Sequence, residues 1–375
     1  MTTTETDSRR LRLGTRGSRL ALTQSGQVAE ALMAAGGGGA AAAAGKASEG
    51  SGSLGIDLVT VRTDGDGDRT PLRQLGGVGV FAARLRHALL DGEVDLVVHS
   101  FKDLPTQPVE GLEVICVPPR EDPRDALCAR DGLTLADLPE GARVGTGSPR
   151  RAAQLLAARP DLEVVDLRGN VPTRLARVRG LEVVGVGTDE PVAPSRADTA
   201  GDLDAVVLAL SGLRRLGLEH CASEVLDLET MLPAPAQGAL AVEARAGEDC
   251  AELDRAVSAL DDEPTRLAVT AERALMARLG AGCAAPVGAW AHLRGESQEP
   301  RVLVLRAVVT SLDGGQEVGC ELSTELPEAS GGPGAPGDTA AVRAAEALGV
   351  RAAEVLLDDG ADQIVDLHAN KPRRH

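Results

Sequence analysis

Short apolar runs alternate with amphipathic stretches along most of the chain, and this leaves few architectures open. Residues 11–15, 56–62, 95–100, 112–117, 142–145, 162–167, 204–210 and 239–244 read as strands. Residues 19–35 between the first two carry a helical pattern, and Phe81, Leu85 and Leu89 share one helix face, with Arg84, Arg86 and His87 elsewhere. Interleaving of this kind predicts α/β layers with mainly parallel sheets. The last third changes character. A helix over 265–279, stopped by Gly280, precedes three alternating strands at 287–293, 302–310 and 317–324, a Pro/Gly loop at 325–338 and a helix over 339–357. That end reads as a small α+β domain. At 375 residues the chain is too long for one compact core, so two or three domains are expected. Residues 36–53 and 189–201 read as surface insertions.

In such sheets ligands sit at the carboxyl ends of strands. Those ends are rich in arginine in a chain whose Lys+Arg of 39 and Asp+Glu of 56 leave a net charge of −17. Gly145-Thr146-Gly147-Ser148-Pro149-Arg150-Arg151 places an N-cap serine, a first-turn proline and two forked cations after a strand. Arg168-Gly169-Asn170-Val171-Pro172-Thr173-Arg174 repeats the theme, Arg214 and Arg215 follow a third strand, and Arg16 and Ser18 follow the first. A basic cleft in an acidic shell selects a small, multiply anionic ligand and repels nucleic acid. The aromatic residues are Phe81, Phe101 and Trp290, which leaves no base-stacking platform.

Ser100-Phe101-Lys102-Asp103 joins a cation to a carboxylate at another strand end. Only three basic residues are lysines, so Lys102 stands out where arginine is the habit. The neighbouring cations would hold Asp103 ionised, fit to stabilise a developing positive charge. Asp64-Gly65-Asp66-Gly67-Asp68 fails the calcium-loop pattern, and the Gly-rich run to Gly79 suits a lid. Gly145, Gly147 and Asp166 partly match a dinucleotide fingerprint, but Arg150 replaces its third glycine. The six cysteines form no C-x-x-C, and no metal site is expected. Cys283 sits among small residues past a helix C-terminus, whose dipole opposes a thiolate, so a covalent role needs a reactive electrophile. The N-terminus lacks an apolar signal core and no run of about 18 apolar residues occurs, so a cytoplasmic protein with no membrane span is expected.

The segments TRGSRLALTQ, VHSFKDLPT, REDPRDAL, GTGSPRRAAQL, DLRGNVPTRL, LSGLRRLGL, PAPAQGALAVE and TAERALMARLGAGCAAPVGAW, in this order, resemble the porphobilinogen deaminase (hydroxymethylbilane synthase) family. The resemblance implies three domains. Residues 1–118 plus 238–258 and residues 119–237 would be lobes like those of type II periplasmic binding proteins, and residues 259–375 a small α+β domain. It implies that Cys283 carries a dipyrromethane primer through a thioether. Four porphobilinogen units would be added to it head to tail, each losing ammonia to give a cationic methylene-pyrrolenine, before hydroxymethylbilane is hydrolysed off. Asp103 matches the catalytic carboxylate. Arg16, Arg150, Arg151, Arg168, Arg174 and Arg215 match arginines that bind the acetates and propionates, and Ser18, Ser100, Lys102, Thr146 and Ser148 match further contacts. A monomer handing its product to uroporphyrinogen-III synthase follows from the same resemblance. Val78, where the family often has lysine, and Pro235-Ala236 depart from the pattern. A non-catalytic bilobal anion-binding protein and a nicotinamide-dependent oxidoreductase are the other readings.

Overall fold

Among the described residues three sheets organise the chain, two of five strands and one of three. The structure, a computed structural model, describes residues 10–38, 54–61, 80–181, 183, 201–247, 250–282, 284–295, 301–327 and 339–367. Cys283, the Gly-rich loop with Val78, and nearly all of the two expected insertions lie outside the described residues.

The first sheet is built from β1 (Arg10–Thr15), β2 (Gly55–Thr60), β3 (Leu96–Ser100) and β4 (Leu112–Cys116), with α1 (Arg19–Met33) and α2 (Val80–Leu90) between strands. The chain then crosses to a second sheet of β5 (Asp125–Ala129), β6 (Arg143–Thr146), β7 (Glu163–Asp166), β8 (Ala205–Ala209) and β9 (Glu224–Val225). Helices α3 (Pro149–Ala158), α4 (Val171–Leu175) and α5 (Leu210–Arg215) connect them. It returns as β10 (Leu240–Arg245) to the first sheet, followed by α6 (Ala251–Leu260). The orders are β2-β1-β3-β10-β4 and β7-β6-β8-β5-β9. Both sheets have one plan: four strands run one way, and the strand next to the crossover, β10 or β5, runs against its two neighbours. This is the mainly parallel, two-lobed α/β arrangement the sequence implies. A consequence is that two connections, not one, join the lobes.

Burial follows the pleat. In β8, Val206 packs with Leu167, Leu175 and Leu213 on one face, while Val207 packs with Leu127, Val144 and Leu155 on the other. Residues 125–129 form a strand that the sequence pattern does not announce, because Asp125 follows Pro123 and Arg124 in a turn-like stretch. In α2, Leu85 and Leu89 are buried as their spacing predicts. Arg86 is buried too, which the helical period does not foresee. Its guanidinium forks onto Glu243 of β10 (2.8 and 3.1 Å), and His99 meets the same carboxylate at 3.0 Å.

The third unit packs α7 (Glu263–Leu279) and α8 (Thr339–Asp358) on the antiparallel sheet β11 (Val287–Arg294), β12 (Val302–Thr310) and β13 (Glu317–Glu325), with the short α9 (Ala361–Ile364) after α8. Leu275, Leu279, Leu303, Leu305, Leu348 and Leu356 fill its core. Helix α7 ends at Gly280, whose φ of 63° is the left-handed cap expected there. The α7–α8 crossing is close at Gly349. A Cβ there would overlap the Ala271 carbonyl oxygen and lie 2.9 Å from Ala274 Cβ and Leu275 N. In a solvated helix Gly→Ala stabilises. Here Gly349→Ala should destabilise by about 1–3 kcal/mol through overpacking, read as a lower denaturant midpoint; an unchanged or higher midpoint would refute the close crossing.

Candidate active site

The parallel strands of each lobe end along one edge, so the turns that follow them are neighbours. In the first lobe β1 runs beside β3, which puts Arg16 and Ser18 next to Ser100, Phe101, Lys102 and Asp103. Ser18 caps α1, its hydroxyl accepting from the Ala21 N–H at 3.4 Å, and Ser100 Oγ donates to Gln24 Oε1 of the same helix at 3.2 Å. Residues Phe101–Asp103 form a single 3-10 turn with Phe101 buried and Asp103 exposed. In the second lobe Thr146, Ser148, Arg168 and Arg174 follow β6 and β7. Ser148 caps α3 and its N–H donates to Thr146 Oγ1 at 3.2 Å. Leu20 of α1 packs on the second lobe's core, so the lobes also touch at this edge.

The two arginines at the start of α3 are not solvated. Arg150 is 3% and Arg151 6% exposed, and both grip one buried carboxylate. Arg150 Nη2 reaches Asp125 Oδ2 at 2.7 Å, and Arg151 Nη2 and Nε reach Oδ1 at 2.7 and 3.0 Å. Gln237, on the returning crossover, donates to Asp125 Oδ1 at 2.8 Å and to the Pro123 carbonyl at 2.7 Å. Its Oε1 accepts from Lys102 Nζ at 3.3 Å and from Arg151 at 3.4 Å. One amide therefore ties Lys102 of the first lobe to the arginine pair of the second. The two guanidiniums, despite the cost of burying a carboxylate, hold the Asp125 carboxyl far below the usual range. Sequence reasoning missed Asp125 and Gln237. The only signal was their place in REDPRDAL and PAPAQGALAVE, and neither stands at the carboxyl end of a parallel strand.

Positive charge remains in excess. Burial, with Arg151 and Arg168 nearby, pushes the Arg174 guanidinium down to about 10 against the help of Asp166. Burial, opposed by Asp103 and aided by Arg151, pushes the half-buried Lys102 ammonium down to about 8. Burial also lowers Arg215, which donates to the Gly238 carbonyl at 2.6 Å. Arg150 Nε is buried with no hydrogen-bond partner. A cluster of this kind suits a ligand carrying several carboxylates. The structure thus brings Lys102, Asp103, Arg150, Arg151, Arg168 and Arg174 together, while Arg16, Ser18, Ser100, Thr146 and Ser148 lie in the strand-end turns and Arg215 at the Gly238 carbonyl.

A family profile described as "Porphobilinogen deaminase, dipyromethane cofactor binding domain" matches residues 11–253, and the C-terminal domain profile of the same family matches residues 266–358. The chain belongs to the porphobilinogen deaminase family. It is 51% identical to the porphobilinogen deaminase of Micrococcus luteus, over 94% of this chain and 93% of that one. It is 51% identical to that of Cutibacterium acnes, over 97% and 99%, and 48% identical to that of Thermobifida fusca, over 94% and 95%. It is accordingly a transferase of the hydroxymethylbilane synthase type that acts on porphobilinogen and uses a dipyrromethane cofactor. The nicotinamide reading is not favoured: Arg150, in place of the third glycine, is buried on Asp125.

The Lys102 ammonium is charged below about pH 8 and neutral above it. Its folded value lies below its unfolded one, so the folded state carries a penalty at lower pH that is relieved as pH rises from 8 toward 10.5. Anion attraction runs the other way and weakens above pH 8. With three lysines in the chain, a 13C-lysine NMR titration should show one signal moving near pH 8 that Lys102→Arg removes. A Lys102 signal that titrates with ordinary lysines would contradict its placement among the arginines of the cluster.

Proposed function

We propose that the cluster of Lys102, Arg150, Arg151, Arg168 and Arg174 beside Asp103 builds hydroxymethylbilane on a dipyrromethane held as a thioether by Cys283. The observation that carries this reading is the excess of positive charge gathered in one place, around the buried Arg150 and Arg151, in a chain of net charge −17. The donor set fits the cofactor, because each pyrrole of it carries an acetate and a propionate. When bound, dipyrromethane supplies the pyrrole end to which porphobilinogen units are joined. Arg16, Arg150, Arg151, Arg168, Arg174 and Arg215 hold carboxylates of cofactor and substrate, with Ser18, Ser100, Thr146, Ser148 and Lys102 completing their hydrogen bonds. Asp103 accepts pyrrole N–H bonds and stabilises the positive charge that grows on porphobilinogen as ammonia departs. Gln237 keeps Lys102 and the arginine pair in register across the lobes. A pyrrole-based electrophile is reactive enough to be captured by an ordinary thiol, so Cys283 needs no activation.

The domain extents that go with this reading are 1–118 plus 238–258, 119–237 and 259–375. The five described cysteines are free, and a cytoplasmic location is part of the proposal. No described helix is long and apolar enough to cross a membrane. A monomer that passes its product to uroporphyrinogen-III synthase completes the proposal.

The intact mass of the denatured protein tests it. Wild type should exceed its chain mass by two linked pyrroles, and Cys283→Ser should show no excess. Wild type that stays unmodified after incubation with porphobilinogen, and makes no tetrapyrrole, would leave the non-catalytic anion-binding protein as the better account.

A further inference from the structure

The turn that carries Asp103 is held from a different domain. Arg273, midway along α7, donates from Nη1 to the Leu104 carbonyl at 2.7 Å and the Phe101 carbonyl at 3.3 Å, and from Nη2 to the Pro105 carbonyl at 2.8 Å. Its Cζ stands 4.5 Å from the centre of the Phe101 ring, a cation–π contact. Three carbonyls from five consecutive residues thus converge on one planar fork. The turn has left the β3 ladder, so these groups need donors from elsewhere. Within the turn the Leu104 N–H returns to the Phe101 carbonyl at 3.2 Å. One helical turn before Arg273, Val269 packs in the same apolar cluster as Phe101 and Leu104. The preceding residue, Glu272, is fully buried. It binds Arg120 of the outgoing crossover (2.7 and 3.0 Å), the Ala236 N–H of the returning one (2.5 Å) and the Ala291 N–H of β11 (2.8 Å). Two adjacent residues of α7 therefore fix the Asp103 turn and both crossovers to one rigid helix. In sequence that helix ends four residues before Cys283.

We infer that Arg273 is a positioning residue for Asp103: its fork locks the backbone of residues 101–105, so that the Asp103 carboxylate is held at one place relative to Lys102 and to the third domain. The inference rests on the role proposed for Asp103. Lysine cannot replace the fork, because an ammonium is a point charge without the planar set of donors. Displacing a carboxylate by about 1 Å can cost about 10²-fold in rate.

The test uses the full chain with its cofactor, as wild type, Arg273→Lys and Arg273→Gln. Arg273→Gln should lower kcat about 10- to 100-fold while KM moves less than about threefold, with Arg273→Lys in between. In an Asp103→Glu background the same Arg273→Gln change should cost less than about twofold, because the group it positions is already displaced. Hydrogen exchange gives a readout independent of turnover. The amides of residues 101–104 should exchange faster in both variants, with β1 and β10 unchanged. Full kcat in Arg273→Gln, an equal loss in both backgrounds, or unchanged exchange in the turn would overturn the inference. Should Arg273→Gln fail to fold, exchange in Arg273→Lys decides alone. A wild type that does not consume porphobilinogen would refute the deaminase reading instead, and leave the exchange result to judge the positioning of the turn.

Discussion

One carboxylate holds the cleft together. Asp125 is the first residue of the strand that enters the second lobe, and it lies with no exposure between two guanidiniums and an amide. Two buried arginines would repel each other without it. Breaking a buried pair of this kind costs about 3–5 kcal/mol. One negative charge against two positive ones leaves a surplus, and Lys102, reached through Gln237, adds to it. The cluster is thus rigid and still positive. Rigidity comes from Asp125, and the unspent charge is what a polycarboxylate ligand can use.

The location of this carboxylate follows from topology. Each lobe lends one antiparallel strand to the exchange, so two crossovers run side by side between the sheets. Asp125 ends the outgoing crossover and Gln237 sits in the returning one. Arg120, the fourth residue after β4, donates to the Gln237 carbonyl at 2.8 Å and to Glu272 of α7. The third domain is therefore pinned to the hinge rather than to either lobe alone. Helix α7 acts as the common spine for the hinge, the Asp103 turn and the segment leading to Cys283.

Much of this was legible in the sequence, and the limits have physical reasons. Alternating periodicities gave the strands and helices, and glycine with N-cap serine marked the strand-end turns where Ser18, Thr146 and Ser148 lie. Arginines after strands pointed to the anion cleft. Strand β5 was missed because it is short and opens on Asp125, whose burial makes sense only once Arg150 and Arg151 are beside it. Arg273 and Glu272 were missed for a related reason. On an amphipathic helix a charged residue reads as a solvated face, and nothing local reveals a partner about 170 residues away in sequence. Arg86 escaped in the same way, since its partner Glu243 belongs to another strand. Periodicity reports which face is apolar, not which buried charges find each other. Cys283 was singled out by the family resemblance, not by its local chemistry.

Under the proposed function, the Asp125-centred cluster is what makes the cleft competent for dipyrromethane and its growing chain. The most direct measurement is the intact mass of Asp125→Asn, with its fold checked by circular dichroism, beside wild type. The account predicts that the folded variant lacks the two-pyrrole mass excess, because its arginines no longer hold their places, while wild type carries it. A folded Asp125→Asn protein with the full excess and wild-type turnover of porphobilinogen would contradict it.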